Sequence, residues 1–232
     1  MKSTAFDRFA TVCAFLAGIT TFAYAVSFVL IARSAPALGG LLSALFLLLS
    51  GLLATVVFAS ITSRFQQIDP GAALWVLLLG GVGALGAAIH GGYDLANTIN
   101  PPLLSADLSA AAANLPSQID PRGLLTFGVT GIALFGLASL AGRERPFAGG
   151  FRYLTYLLAA LLVVIYLARL ILLSPANPVL LGPVLLAGFV VNPLWYIRLG
   201  VRLGREGRRT DDAQAAAQPD RYAWPAPARG PR

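Results

Sequence analysis

Residues 80–102 read GGVGALGAAIHGGYDLANTINPP. The first half is the glycine-rich end of an apolar run, and the second half holds the chain's single histidine, His90, followed by Tyr93, Asp94 and Asn97. Two prolines end the stretch. Because an apolar run of about 20 residues is long enough to cross a bilayer as a helix, this stretch predicts a membrane span that ends in a polar cluster.

The composition excludes an ordinary water-soluble domain. The chain has 232 residues, of which 57% are hydrophobic and 12% are charged, whereas soluble domains carry roughly 25% charged residues. A soluble fold of this composition would expose large apolar patches, which a bilayer solvates instead. The formal charge of +7 is concentrated after residue 140. Because the chain is so apolar, this positive charge favours anionic lipid as the partner and argues against nucleic acid.

Apolar runs separated by short polar turns predict an all-α, polytopic transmembrane helix bundle of six spans. Residues 1–203 form this single domain, and the Arg-, Ala- and Pro-rich composition of residues 204–232 predicts a disordered basic tail. A short surface helix is expected at residues 105–115 in the longest loop. The predicted spans are 9–32, 38–61, 71–91, 123–141, 151–173 and 179–199.

The distribution of basic residues predicts that both termini lie in the cytoplasm. With six spans and a cytoplasmic N-terminus, the outer side carries only Arg33, Arg122 and Arg169. This asymmetry agrees with the positive-inside rule at each short loop. The basic residues on the cytoplasmic side are Lys2, Arg8, Arg64, Arg143, Arg145, Arg152 and every arginine from Arg198 onward.

Small residues in the third span predict close helix packing. Helices in lipid associate through close contact at small side chains, because hydrophobicity inserts them but does not pair them. The span holds two pairs of small residues four positions apart, Gly80 with Ala84 and Gly83 with Ala87. We therefore expect the third span at the centre of the bundle. The GxGxxG pattern at residues 81–86 lacks the strand–helix context of a dinucleotide site, so we interpret it as packing.

The sixth span contains two prolines, Pro183 and Pro193, which predict a kinked helix. Trp195 and Tyr196 are typical of an aromatic anchor at the cytoplasmic interface. The arginines that follow from Arg198 predict a juxtamembrane contact with anionic lipid.

Polar residues converge at the outer end of the third span. His90 and Asp94 are four residues apart, so on a continuing helix they share a face. A charge near the end of a span is costly unless it is paired, so we expect Asp94 to pair with Arg169 or Arg122. The candidate site residues of this polar network are His90, Tyr93, Asp94, Asn97, Arg169 and Arg122.

Three interpretations of this cluster stay open. It is a structural network that satisfies buried polar groups, a small-molecule or ion site that uses His90 and Asp94, or a metal or haem site. One histidine is too few for bis-histidine haem, and a zinc centre needs more ligands than His90 and Asp94 supply. We therefore predict no metal and no cofactor. No catalytic residues are assigned, because no Ser-His-Asp spacing and no HExxH motif occurs.

Two segments carry a resemblance to other proteins. The segment from His90 to Asn97 with the Asn-Pro-Pro that ends at 102, and the segment Asn-Pro-Leu-Trp-Tyr-Ile-Arg-Leu-Gly at 192–200, resemble bacterial multi-pass membrane proteins of a domain-of-unknown-function group with about six helices. The resemblance implies the six-helix architecture and a bacterial cytoplasmic (inner) membrane location. The group carries no assigned activity.

The functional hypotheses from sequence are therefore of three classes. The first is a non-enzymatic accessory or interaction protein with a membrane-protein partner, favoured because few ionisable residues lie inside the spans. The alternative is a small transporter or ligand-binding membrane protein that uses the polar outer end of the third span. The third is a membrane enzyme, which would require a convergent polar cavity.

Overall fold

The computed structural model describes residues 5–100, 119–145, 147–172 and 177–217, with 208–217 described as backbone only. None of these residues belongs to a strand. The predicted all-α bundle of six apolar helices is thus confirmed. The helices long and apolar enough to cross a membrane are α1 (Ala5–Ser34), α2 (Pro36–Phe65), α3 (Pro70–Ile99), α4 (Leu124–Ala141), α5 (Gly150–Ile171) and α6 (Val179–Gly207).

Prolines and polar caps fix where the helices begin. The Asp69 carboxylate accepts a hydrogen bond of 2.9 Å from the backbone N–H of Ala72, and Pro70 occupies the first turn of α3. Asn177 accepts a hydrogen bond of 3.0 Å from the N–H of Val179 in the same way. These contacts satisfy N–H groups that the helix itself leaves without partners, and a proline at the first position has no N–H to lose.

Large apolar side chains cover the outside of the bundle. Ile19, Leu78 and Val164 are exposed although they lie well inside their helices. In water such a surface would drive aggregation, whereas in a bilayer it is solvated by hydrocarbon tails. The protein is therefore a multi-pass membrane protein whose outer surface contacts lipid.

The helices form a ring in chain order. Each packs against its neighbours in sequence, and α6 returns to pack against α1. The prediction that the third span lies at the bundle centre is wrong, because α3 is one member of the ring, between α2 and α4. Its small residues face two neighbours on different sides, so they bring α2 and α4 close without placing α3 in the middle.

The contact between α2 and α3 depends on glycines of both helices. A Cβ at Gly51 would collide with the backbone of α3 at Ala84 and Ala88, and a Cβ at Gly91 would collide with the backbone of α2 near Leu48. Gly80 lies directly against the Phe58 ring. Because these positions lack side chains, the two backbones approach closely enough for extensive van der Waals contact, as membrane helices require.

The contact between α3 and α4 uses a second set of glycines on α3. A Cβ at Gly83 would collide with the Thr130 hydroxyl, and one at Gly86 would collide with the Leu125 side chain. Ala84 and Ala87, predicted as packing residues, line the interior of the ring as well. The glycines of α3 therefore serve two different neighbours.

Two ends of the ring are distinguished by their charged residues. The basic end carries Arg64, Arg143 and Arg152, and the opposite end, called the histidine end, carries Arg33, His90, Asp94 and Arg169. At the basic end Arg64 binds the Asp7 carboxylate at 3.0 Å and also binds Glu206, which joins α2 to α1 and α6. A chain of aromatic contacts closes this end of the ring, edge-to-face from Phe65 through Phe147 to Phe151 and stacked between Phe151 and Trp195.

The last helix is longer than the predicted span. It continues to Ala217, so the part of the predicted disordered tail at 204–217 is helical. The first turns past residue 203 are stabilised by tertiary contacts, because Leu203 is buried in the core and Glu206 binds Arg64. The rest of the predicted tail and the predicted surface helix at 105–115 lie outside the described residues.

Two neighbouring glycines of α3 give a matched test of this packing. Gly83→Leu should destabilise the detergent-solubilised protein by about 1–3 kcal/mol or more, because the new side chain must displace α4 at Thr130. Gly81→Leu is the control, since a Cβ at Gly81 meets nothing within 4 Å. The measurement is the thermal unfolding midpoint. Equal midpoints for Gly83→Leu and Gly81→Leu would contradict the proposed role of the α3–α4 contact.

Candidate functional site

The ring encloses a cavity of about 460 Å³. Its deepest side chains are Phe58, Trp195 and Tyr196, which separate it from the closed basic end. Along α2 the lining extends from Ser43 to Phe58, a rise of about 22 Å. All six helices contribute to the lining, which includes Thr21, Tyr24, Ser50, Ala84, His90, Thr130, Leu162, Arg169, Val184 and Trp195.

The body of the cavity is mostly apolar, and the hydroxyls of Thr21, Ser43 and Ser50 in its wall are hydrogen-bonded within their own helices. Leu47, Leu134 and Leu162 supply much of its wall. The Ser50 hydroxyl donates to the Leu47 carbonyl at 3.0 Å within its own helix. Such walls offer an apolar ligand van der Waals contact, and hydroxyls that are already hydrogen-bonded cost little when the ligand covers them.

The Trp195 and Tyr196 side chains face the inside of the bundle. Both are buried, and Trp195 Nε1 donates a hydrogen bond of 2.9 Å to Thr155 Oγ1. The prediction of an interfacial aromatic anchor is therefore wrong. The reason is that Trp195 packs against Phe151 and Tyr196, so these rings contact other side chains and not lipid head groups.

Three helices contain a π-helical segment where they line the cavity. The segments are Ser27–Ile31 in α1, Leu124–Val129 in α4 and Ala187–Val191 in α6. The Leu125 carbonyl accepts a hydrogen bond of 3.1 Å from Thr130 Oγ1. Such segments widen the helical turn and are frequent at functional sites. Here they change the direction of the side chains that face the cavity.

His90 lies between two carboxylates at the histidine end. Its Nε2 is 3.1 Å from Asp94 Oδ2, and its Nδ1 is 3.9 Å from Asp120 Oδ2. The longer distance exceeds a hydrogen bond, so we interpret the second contact as electrostatic attraction. His90 thereby joins α3 to the segment that precedes α4.

Asp94 has a different partner from the one expected. Among the described residues it pairs with His90, so the prediction of an ion pair with Arg169 or Arg122 is wrong. Helix α3 continues to Ile99, past the predicted end of the span at residue 91. The i,i+4 partner is therefore always within reach of Asp94, whereas an arginine on another helix must be positioned by tertiary packing.

Asp120 is the site residue that the sequence analysis did not select. Its side chain is fully buried, and it accepts hydrogen bonds from the Leu125 N–H at 2.7 Å, the Thr126 N–H at 3.0 Å and the Thr126 hydroxyl at 2.6 Å. Burial alone would raise its pKa. The interaction with His90 and these hydrogen bonds outweigh burial and lower the pKa to about 2. The signal available in the sequence was an aspartate just before a proline at a helix start.

The structure brings together only part of the predicted network. Arg169 lines the cavity together with His90 and Asp94. Tyr93 is exposed, and neither it nor Asn97 belongs to the cavity lining. Arg122 adopts a left-handed backbone conformation, with φ of 61°, and also lies outside the lining.

Two arginines, Arg33 and Arg169, line the cavity at the histidine end. The Arg169 guanidinium lies 5.4 Å from the centre of the Phe127 ring, a cation–π contact. Neither Arg169 nor Arg33 is within ion-pair distance of a carboxylate in the part of the chain that the structure describes. The cavity therefore combines an apolar body with unpaired positive charge at one end.

Within the described ranges, no three His, Cys, Asp or Glu side chains converge closely enough to hold a metal ion. Comparison of the chain with protein-family models, with curated proteins and with solved structures finds no match. The site is therefore interpreted from its own geometry.

The lowered pKa of Asp120 predicts a pH-dependent contribution to stability. A carboxylate whose pKa is lowered on folding stabilises the fold above its ordinary value of 3.8 and loses this effect as the pH falls toward 2. Asp120→Asn should lower the free energy of unfolding by about 1–2 kcal/mol at pH 5. The difference from the native chain should shrink between pH 4 and pH 2.

The measurement is unfolding in detergent as a function of pH. Glu144→Gln, at the basic end, is the control for a change of charge away from the site. A difference between the native chain and Asp120→Asn that stays constant from pH 5 to pH 2 would contradict the role assigned to the Asp120 carboxylate.

Proposed function

We propose that this protein is a ligand-binding membrane protein whose cavity accepts an amphipathic molecule with an apolar body and an anionic end. The single observation that carries the proposal is the cavity, apolar in its body and lined by Arg33 and Arg169 at the histidine end. This is the ligand-binding alternative of the sequence analysis, made specific by the lining residues.

The size and walls of the cavity support binding of a small molecule. Ligand pockets are commonly about 300–1,000 Å³ and mostly apolar, with a few polar groups that orient the ligand. A cavity of about 460 Å³ fits this range. An accessory subunit that acts only through its outer surface needs no interior space, so a filled bundle would have favoured that hypothesis instead.

The unpaired arginines support an anionic group on the ligand. A guanidinium beside apolar side chains is partly desolvated, and an opposite charge compensates for that loss. Asp94 and Asp120 are engaged with His90, so a carboxylate or phosphate of a ligand is the complementary group for Arg169 and Arg33. Arginine suits both, because its planar donors match two oxygens at once.

The membrane orientation follows from charge. The positive-inside rule places the basic end in the cytoplasm and the histidine end on the outer side of a bacterial cytoplasmic membrane. The arginines from Arg198 to Arg205 near the end of α6 would then contact anionic lipid of the inner leaflet. The resemblance to bacterial six-helix membrane proteins agrees with this location.

Charge removal at the two ends of α5 tests the proposed head-group site. Arg169→Gln should weaken binding of oleate, a carboxylate on a long acyl chain, by about ten-fold or more, because one charge-assisted interaction is lost. Arg152→Gln is the matched control on the same helix, because Arg152 lies at the basic end, where its guanidinium contacts Tyr156.

Binding is measured on purified full-length protein by native mass spectrometry and by displacement of a fluorescent fatty acid. Lysophosphatidate tests a phosphate head group, and lysophosphatidylcholine, with no net charge, serves as the comparison. Equal affinity of the native chain for the charged and neutral lipids, or equal effects of the two arginine substitutions, would contradict an anionic end. Failure of all three lipids to bind would contradict the proposed function.

A second prediction tests the apolar body of the cavity. Ser50→Phe places a ring in the cavity about midway along α2, so it should weaken oleate binding much more than octanoate binding. Each methylene kept out of the apolar environment costs about 0.8 kcal/mol. Ser63→Phe, on the exposed face of the same helix, is the control. Equal losses for the two chain lengths would contradict placement of the tail in the cavity.

A further inference from the structure

The ring is not closed equally along its whole length. Toward the histidine end, the first part of α6, Pro178–Leu186, packs against α5, and no comparable contact joins it to α1 among the described residues. Nearer the middle of the bundle α1 and α6 do touch, with the Phe22 and Phe189 ring centres 5.9 Å apart and Ala25 against Gly188. Beyond them the two helices diverge.

Both sides of this gap also line the cavity. On α1 the lining includes Phe28 and Val29, and on α6 it includes Leu181 and Val184. Phe28 lines the cavity and is 55% exposed, so it is not sealed between α1 and α6 by packing. A Cβ at Gly182 would meet nothing within 4 Å. The cavity therefore extends to the lipid-facing surface between α1 and α6.

The divergence has a cause in each helix. Ser27–Ile31 in α1 and Ala187–Val191 in α6 are π-helical at the level where the contact ends. Pro183 lies inside the diverging part of α6, where it lacks an N–H to donate and disfavours a straight helix. The gap is thus built into the backbones of both helices, and the Tyr24–Phe28 stack, at 5.8 Å, forms its edge on α1.

We infer that this gap is a lateral portal through which a lipid anion with a single acyl tail enters the cavity from the bilayer. This inference rests on the proposed function and names both the class of ligand and its route. The tail passes between Phe28 and Val184 into the apolar body of the cavity, and the anionic head group binds Arg33 and Arg169.

The chemistry of a membrane-dissolved amphiphile favours this route. Its head group lies at the membrane interface and its tail in the hydrocarbon layer, which is the arrangement that the cavity offers. Entry from the side keeps the head group at the membrane interface and the tail in an apolar environment throughout. Entry from water would instead expose the tail at about 0.8 kcal/mol per methylene. Arg33, five residues after Phe28 on α1, is placed to meet the head group as it arrives.

Cross-linking across the gap tests the portal. The protein carries Cys13→Ala, which removes the chain's single cysteine, together with Phe28→Cys and Val184→Cys. It is reconstituted in nanodiscs, loaded with fluorescent oleate and then joined with reducible bifunctional thiosulfonates of increasing length. Cross-linking should slow the exchange of oleate with the bilayer ten-fold or more, and reduction of the linker should restore the rate.

The control pair is Phe135→Cys with Tyr156→Cys, at the packed contact between α4 and α5, where the native rings are 6.1 Å apart. Cross-linking there should leave exchange unchanged. Exchange that is not slowed by the Phe28–Val184 cross-link, or that is slowed equally by the control, would overturn the portal while oleate binding still stood. Absence of oleate binding before cross-linking would instead overturn the proposed function itself.

Discussion

Close backbone contact at glycine is the constraint on which the structure depends. Lipid tails compete with apolar side chains, so helices in a bilayer need tight van der Waals packing to associate. Gly51 and Gly91 provide it between α2 and α3, and Gly83 and Gly86 provide it between α3 and α4. Because the two contacts use different sides of α3, the helices continue around a ring and leave space inside it.

The two ends of that ring differ in how they are held. At the basic end, Arg64 joins α1, α2 and α6 through Asp7 and Glu206, and aromatic rings in mutual contact fill the interior. At the histidine end, Asp120 holds the start of α4 and His90 connects it to α3. The cavity is therefore closed at the basic end and carries arginine side chains at the histidine end. This arrangement suits a molecule with one apolar and one anionic end.

Departures from regular α-helix coincide with this cavity. The π-helical segments in α1, α4 and α6 all contribute lining residues, and two of them flank the gap between α1 and α6. A regular helix packed along its full length would close that gap. The irregular turns therefore reduce the contact between α1 and α6 and leave the cavity accessible between them. This pattern is consistent with a site that takes its ligand from the membrane.

The sequence by itself determined the six helices, their order, the small-residue surfaces and the placement of His90 and Asp94 on one face of a helix. These follow from hydropathy, caps and i,i+4 spacing, which are local properties. Only the tertiary structure decided that α3 lies in a ring, that Trp195 is buried, that Asp120 joins the site and that Arg169 has no acidic partner among the described residues. Each of these depends on which side chains of different helices come into contact, and that is not a local property of the sequence. The small residues of the third span, for example, do not show how many neighbouring helices will pack against it.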